Sequence, residues 1–301
     1  MLFTLLLPLF LLSMLGYLLA KSNWLAHGWF AGVNELTSKL FIPALVFHGA
    51  YINGLPDVVS WQVFCAYYVP LLSLFLLISF AFTRADSYAS RALAATFSNT
   101  VYVGIPVLSQ AFGNASLQYA FPIIAFHGLI AFTLYNFLSS AEASGKTKFF
   151  AALGNTVKNP IVISLLAGMV FNSFGISLPH AVTEIIDMLT KAALPCALIA
   201  LGASMTNFHS KSNRETALIV IAKLFALPAL VLISAVFFLH LSAAASSALV
   251  ILAACPIGVN VSAVVQADGK NPALVNSSIL LSSLACVATI PMWLWVLSRL
   301  A

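Results

Sequence analysis

Ten apolar stretches follow one another along the chain, and each is long enough to cross the hydrocarbon core of a bilayer, which is about 30 Å thick. The chain of 301 residues is 61% hydrophobic and 7% charged, whereas soluble domains carry about a quarter charged residues. The sequence therefore predicts an all-α integral membrane protein embedded in a lipid bilayer. The ten predicted spans are 2–20, 36–54, 58–82, 89–112, 117–138, 160–176, 183–205, 216–240, 246–267 and 274–298.

Lysine and arginine residues lie mainly in every second connection between these spans. By the positive-inside rule the odd-numbered connections are cytoplasmic, which predicts a multi-pass protein of the cell inner membrane with both termini on the non-cytoplasmic side. The basic residues behind the net charge of +5 are then explained by the orientation of the protein in the membrane, and a nucleic-acid partner is not expected. The basic residues that follow the alternation are Lys21, Lys39, Arg84, Arg91, Lys146, Lys148, Lys158, Lys211, Arg214 and Lys270, and Arg299 is the exception.

Five prolines recur about half a chain later, and one pair shares its local text, because a lysine precedes both Pro43 and Pro195 by four residues. This pattern predicts a five-helix repeat, residues 1–138 and 160–301, joined by a cytoplasmic linker at 139–159. An odd number of spans per repeat inverts the second copy, an arrangement typical of transporters. The proline pairs are Pro8 with Pro160, Pro43 with Pro195, Pro70 with Pro228, Pro106 with Pro256, and Pro122 with Pro272.

The fourth and ninth predicted spans each place proline, glycine and asparagine close together in mid-span. Proline removes a backbone donor and clashes with the preceding turn, so a helix break is expected at each place. If the two breaks cross, two positive helix N-termini and two asparagine amides surround a site suited to an anion. The alternative is a pair of proline-kinked helices packed in a bundle. The candidate substrate-binding residues are Asn99, Thr100, Tyr102, Gly104, Pro106, Pro256, Gly258, Asn260 and Ser262.

Asp187, Lys191 and Lys223 are ionisable residues inside predicted spans. Asp187 and Lys191 are one helical turn apart, which predicts either a structural ion pair or a role in ion coupling. Lys223 has no acidic residue nearby in the sequence. It is a further candidate for substrate binding, because a cation inside the membrane is costly and its presence there indicates a function. The alternative is a lysine that snorkels to the membrane surface.

Other residue types point away from cofactors and catalysis. His48 and His127 could ligate a haem or relay protons, but no cofactor pattern accompanies them, and a histidine hydrogen-bonded within the bundle is favoured. H-E-x-x-H and G-x-S-x-G are absent, so no enzyme activity is expected. The four cysteines are isolated, which predicts neither a metal site nor a disulfide. The serine-rich run at 276–283 indicates close helix packing.

Several short motifs, taken together, resemble the auxin efflux carrier family, and the length resembles its bacterial malonate or malate permease members. The resemblance implies ten helices in two inverted repeats, with a scaffold domain from helices 1, 2, 6 and 7. It implies a mobile core from helices 3–5 and 8–10, in which broken helices 4 and 9 cross. The motifs are Leu15-Gly16-Tyr17, Phe41 to Phe47, Asn99 to Pro106, Lys158-Asn159-Pro160 with Gly168, Leu194 to Leu198 with Leu201-Gly202, Lys223 with Pro228, and Cys255-Pro256 with Asn260.

By the same resemblance, the chain is expected to be a secondary transporter of small organic anions by elevator-type alternating access. Malonate, malate or an auxin-like acid is the expected cargo, H⁺ or Na⁺ a possible coupling ion, and a homodimer a possible assembly. One alternative is a sodium-coupled symporter of the bile-acid transporter type, in which Thr100 and Ser262 help to hold the ion. Others are a passive channel and a membrane haem or redox protein using His48 and His127.

Overall fold

The computed structural model describes residues 2–22, 24–26, 28–53, 61–83, 87–113, 116–142, 160–207 and 213–300. The predicted linker from residue 143 onward lies outside the described residues, as do Arg84, Lys146, Lys148, Lys158 and Lys211. Within the described ranges the chain is helical, and its pairing of extended backbone is limited to one antiparallel bridge between Ser98 and Ile257.

Helix occupies each of the ten stretches that hydropathy predicts, and two of them are interrupted. The α-helices of the described ranges are α1 (Leu2–Lys21), α2 (Trp29–Leu36), α3 (Ile42–Asn53), α4 (Trp61–Ala81), α5 (Tyr88–Thr96), α6 (Ile105–Phe112), α7 (Leu117–Glu142), α8 (Pro160–Ser173), α9 (His180–Ser204), α10 (Arg214–Ile221), α11 (Leu227–Leu232), α12 (Ala243–Ala254), α13 (Asn260–Ala267) and α14 (Ala273–Leu300). π-Helical segments at Thr37–Phe41, Thr100–Gly104, Ala222–Ala226 and Ile233–Phe238 connect or extend them, and Met205–Asn207 forms a 3₁₀ turn.

Within the described ranges, six helical stretches are long and apolar enough to cross a membrane, and four apolar helices are shorter. The shorter group includes one half of each interrupted span. The all-helical membrane architecture is thereby confirmed, while ten crossings in two inverted repeats stay a prediction. The six long stretches are Trp29–Ile52, Trp61–Ala81, Leu117–Ser139, His180–Ser204, Arg214–Phe238 and Ala273–Leu300, and the shorter ones are Leu7–Lys21, Thr100–Phe112, Ile163–Ser173 and Ala243–Ala254.

The chain divides into two compact units, the first of which comprises Met1–Val59, Val101–Ala125 and Val157–Asn207. In this unit α1 packs closely on α9 through two glycines. A methyl group on Gly16 would lie 2.1 Å from the Ile199 carbonyl oxygen, and one on Gly202 would lie 1.7 Å from the Ser13 carbonyl oxygen. Larger residues at either position would force the helices apart, so small side chains set their separation.

The second unit comprises Ser60–Thr100, Phe126–Thr156 and Phe208–Ala301. Here Pro228 follows the π-helical segment Ala222–Ala226 and has no N–H to bond the carbonyl of Leu224, four residues earlier. The Trp293 indole on α14 donates to that carbonyl over 2.9 Å. A side chain from a neighbouring helix therefore satisfies the polar group that the proline releases, as hydrocarbon surroundings require.

Candidate functional site: two paired helix breaks

The predicted interruption of the fourth span lies between α5 and α6. α5 ends at Thr96, and Phe97 adopts extended backbone with φ −80° and ψ 115°. Helical conformation resumes at Thr100 as a π-helical segment that leads into α6. Pro106 lies in the first turn of α6, directly after the π-helical segment, so it stands inside the resumed helix and not at the break itself.

The predicted interruption of the ninth span lies between α12 and α13. α12 ends at Ala254, and Cys255 is extended with ψ 149°. The backbone stays non-helical through Pro256, Ile257 and Gly258, and α13 begins at Asn260. Both spans are therefore broken helices, as the clustered proline, glycine and asparagine predict.

The two breaks run antiparallel and hydrogen-bond to each other. The Asn99 N–H donates to the Pro256 carbonyl over 2.8 Å, and the Gly258 N–H donates to the Phe97 carbonyl over 3.1 Å. Ser98 and Ile257 face each other at the centre of this pairing. Each break thus supplies partners for polar backbone that the other leaves unpaired, which is what the membrane interior demands of a broken helix.

Gly258 is required by the close approach of the two breaks. A methyl group on its Cα would lie 2.5 Å from both Cδ1 and Cε1 of the Phe97 ring. Carbon atoms pack at about 3.5–4.0 Å, so any larger residue would displace the ring or separate the breaks.

The central residue of each break also bonds to a long helix outside the pairing. On the first break, the Ser98 N–H donates to Nε2 of His127, on α7, over 2.9 Å. On the second, the Ile257 N–H donates to Oγ of Ser282, on α14, over 3.1 Å. The crossing is therefore held by backbone-to-backbone bonds in the middle and by one side-chain acceptor on each side.

Lys223 is fully buried in the π-helical segment Ala222–Ala226. Its Nζ donates to the carbonyl of Ala253, in the last turn of α12, over 2.5 Å. Carbonyls at the C-terminal end of a helix carry partial negative charge. When protonated, Lys223 therefore offsets the negative end of α12 directly beside the break that begins at Cys255.

The family model described as "Membrane transport protein" matches the chain over residues 1–149 and 146–294. The chain belongs to this family. A protein of Rhizobium meliloti (strain 1021), named "Putative malonate transporter", is 28% identical over 308 residues, which cover 95% of this chain and 92% of that protein. An "Uncharacterized transporter" of Methanothermobacter thermautotrophicus (strain Delta H) is 26% identical over 298 residues, 97% of each chain.

Membership in this family confirms the family-level resemblance to auxin efflux carriers that the sequence motifs indicate. The chain is a multi-pass membrane transporter and not an enzyme. Within the described residues, no group of three or more His, Cys, Asp or Glu side chains is placed to hold a metal ion.

The predicted site residues differ in exposure. In the second unit, Asn99 and Thr100 are buried, at 5% and 4% exposed, whereas Asn260 is exposed and Ser262 is half-buried. The two asparagines are therefore not equivalent: Asn99 lies within the paired breaks, while Asn260 stands at the start of α13 and is accessible. Pro256 and Gly258 belong to the pairing itself.

Three of the predicted residues, Tyr102, Gly104 and Pro106, belong to the first unit. The Tyr102 hydroxyl donates to Oδ1 of Asn34 in α2 over 2.7 Å. This contact gives Tyr102 a structural role within its own unit. Whether any of the three also contacts a substrate stays a prediction.

Asp187 and Lys191 also lie in the first unit, on α9. Their side chains form an ion pair of 2.6 Å, with 43% of the aspartate side chain and 74% of the lysine side chain exposed. This geometry is that of a structural ion pair one turn apart on a helix, the first of the two sequence interpretations. A coupling role for the pair stays a prediction.

His127 and Ser282 hold the breaks. The sequence gives His127 only as a possible haem ligand or proton relay, and it does not single out Ser282. The sequence signal for His127 is a lone histidine in an apolar span, which favours a hydrogen-bonded core residue, and the structure agrees with that interpretation. Ser282 is hidden in a run of serines typical of helix packing. Recognising either residue requires knowledge of which helix faces which break.

Proposed function

We propose that the chain is a secondary transporter of small organic anions, most suitably carboxylates of the size of malonate or malate, or an auxin-like acid. The observation that carries this proposal is the antiparallel pairing of the two helix breaks. Helical conformation begins at Thr100 after one break and at Asn260 after the other. Each helix start carries about half a positive elementary charge and N–H groups without intrahelical partners, both of which suit an anion.

The electrostatics of the breaks favour a negative guest over a positive one. Neither 97–100 nor 255–260 contains an acidic residue. Lys223 Nζ donates to the Ala253 carbonyl at the negative end of α12; when protonated it offsets that end and leaves the positive start of α13 as the larger local charge. α13 has no side-chain N-cap within the described residues, and its first N–H groups therefore suit a carboxylate oxygen.

The Asn260 amide supplies a further donor at this position. It is exposed at the first residue of α13, where a side-chain amide and backbone N–H groups lie together. Hydrogen bonds to an ionised carboxylate are roughly twice as strong as those between neutral groups. Several such bonds in a water-poor site would repay part of the cost of removing the anion from water.

The choice of substrate is supported by a relative's name, whereas the transport mechanism is a further part of the proposal. The R. meliloti relative is named for malonate, which makes malonate the first compound to assay. Elevator-type alternating access is part of the proposal. Of the ten predicted spans, 1, 2, 6 and 7 would form the scaffold, and 3–5 and 8–10 would form the moving core. H⁺ or Na⁺ coupling, a homodimer, and an inner-membrane orientation with both termini outside are also part of the proposal.

The test is transport of [¹⁴C]malonate and [¹⁴C]malate by the purified protein in proteoliposomes. We expect saturable flux in the wild type and loss of flux in Asn99→Ala and Asn260→Ala, with insertion into the bilayer retained. Asn172→Ala is the matched control, since its amide donates to the Tyr51 carbonyl within the first unit, and it should transport normally. Unchanged flux in both Asn99→Ala and Asn260→Ala would refute the site.

Replacing sodium by potassium in the same assay tests the coupling ion. A flux that persists without sodium and follows a pH gradient indicates proton coupling. A flux that requires sodium indicates a symporter of the sodium-coupled type.

A further inference from the structure

His127 occupies an unusual position, because it is a titratable side chain bonded to the backbone of a helix break. The residue is 1% exposed, and its ring stacks on Phe97 with centroids 4.6 Å apart. Nε2 accepts the Ser98 N–H over 2.9 Å. Nδ1 is buried and has no hydrogen-bond partner among the described residues.

The bond to Ser98 fixes the protonation state of the ring in this structure. A backbone N–H can only donate, so the Nε2 that receives it must present a lone pair, and the ring is neutral with its proton on Nδ1. An imidazolium carries N–H donors on both nitrogens. Protonation of Nε2 would therefore set two N–H groups against each other and break the bond to Ser98.

A proton on Nε2 and the bond to Ser98 thus exclude each other. Ser98 is the central residue of the paired breaks, opposite Ile257. Proton binding would release the first break from α7 and leave its N–H available to another acceptor. A carboxylate oxygen is such an acceptor, and the released backbone N–H and the imidazolium N–H are both donors to it.

The groups around the ring explain why a proton would arrive together with an anion. The Tyr67 ring of α4 lies edge-on to the His127 ring with centroids 5.7 Å apart, and Tyr68 contacts Tyr67 in turn. Lys223, in the segment before α11, is buried, and its Nζ bonds to Ala253, two residues before Cys255 of the facing break. A positive charge on the buried imidazole is unfavourable unless an anion accompanies it.

We propose that His127 is the proton-binding site of this transporter, and that it takes up a proton as the carboxylate binds and the Ser98 bond opens. The cargo is then an organic anion together with one proton. This inference rests on the proposed function and names H⁺ as the coupling ion. The sequence gives His127 as one possible proton relay, and the bond to Ser98 gives it a place at the paired breaks of the second unit.

Glutamine is the variant that separates the two roles of His127. In His127→Gln the side-chain carbonyl can still accept the Ser98 N–H but cannot be protonated near neutral pH. His48→Gln, in the first unit, is the matched control for loss of a membrane histidine. [¹⁴C]Malonate accumulation is measured in proteoliposomes with and without an acid-outside pH gradient, alongside malonate exchange at equal pH.

We expect the pH gradient to drive accumulation in the wild type and in His48→Gln. In His127→Gln that accumulation should be lost, and whatever exchange remains should no longer depend on pH. Accumulation in His127→Gln that follows the gradient as in the wild type would overturn the proposal.

A second readout does not depend on transport. Solid-state ¹⁵N NMR of histidine-labelled protein in liposomes, with the His127→Gln spectrum used for assignment, reports the protons on each ring nitrogen. We expect one protonated ring nitrogen without ligand and two when malonate is added at acidic pH. The hydrogen bond from the Ser98 N–H to Nε2 should be lost at the same time. A ring that keeps a single proton with malonate bound would overturn the proposal.

Failure of the proposed function would look different. If the wild type moves no carboxylate with a pH gradient or with sodium, the carboxylate assignment is wrong. An acid titration followed by ¹⁵N NMR then tests, without any transport assay, whether His127 binds a proton. An Nε2 that stays unprotonated until the protein unfolds would exclude it.

Discussion

Replacing Ser282 by alanine tests whether the side-chain acceptors hold the broken helices. The Ser282 hydroxyl accepts the Ile257 N–H over 3.1 Å in a buried position and donates to the Ile279 carbonyl of its own helix. Alanine removes the acceptor and leaves the Ile257 N–H buried without it. The carbonyl of Ile279 loses less, because it lies inside a continuous helix.

The size of the effect follows from the unpaired donor. A buried N–H without a partner costs about 1–3 kcal/mol. If this cost applies to the paired breaks and not to conformations in which the N–H meets water, the population of the paired geometry falls by about 5- to 150-fold relative to those conformations. We expect the free energy of unfolding to fall by about the same 1–3 kcal/mol.

Ser283 is the matched control because it is the next residue on the same helix. Its Oγ is buried without a hydrogen-bond partner among the described residues, so alanine there should change the free energy of unfolding by no more than about 0.5 kcal/mol. Reversible unfolding in bicelles measures stability, and malonate flux in proteoliposomes measures function. Equal stability and equal flux for Ser282→Ala and Ser283→Ala would refute the holding role of Ser282, whereas Ser282→Thr should recover most of any loss.

Three further substitutions have expected outcomes. Gly258→Ala should destabilise by about 1–3 kcal/mol through overpacking against Phe97, and a thermal unfolding midpoint equal to that of the wild type would contradict the close approach. Trp293→Phe should leave the Leu224 carbonyl unpaired and cost about 1–3 kcal/mol in the same measurement, whereas no change would mean that another donor replaces the indole. Lys191→Gln removes an exposed ion pair worth about 0–1 kcal/mol and should leave malonate flux intact, so loss of flux at normal stability would show a role in coupling.

The position of the second break was predictable because the responsible residues act locally. Pro256 and Gly258 disfavour continuous helix wherever they stand, and the chain is interrupted at them, whereas the first break lies at 97–99, before Pro106. The two prolines act differently, because Pro106 follows the helical segment that begins at Thr100, whereas Pro256 lies in the gap and offers its carbonyl to Asn99. Sequence distinguishes these roles poorly, since both depend on where the preceding helix ends.

The partners of the breaks were not predictable because they depend on contacts between distant segments. His127 lies 29 residues from Ser98, and Ser282 lies 25 residues from Ile257. Hydropathy shows that both occupy apolar helices but not which face each presents. Lys223 is a similar case: its burial follows from a π-helical segment beside α12, and the sequence alone left it equally able to snorkel.

Oxidative cross-linking of Ser98→Cys to Ile257→Cys, in a variant whose four native cysteines are replaced, tests the central claim most directly. Facing residues of an antiparallel pair lie about 4.5–5.5 Å apart at Cα, within the range that a disulfide spans. The account predicts efficient cross-linking in liposomes. Absence of the cross-link would contradict the antiparallel pairing of the two breaks on which the proposed site depends.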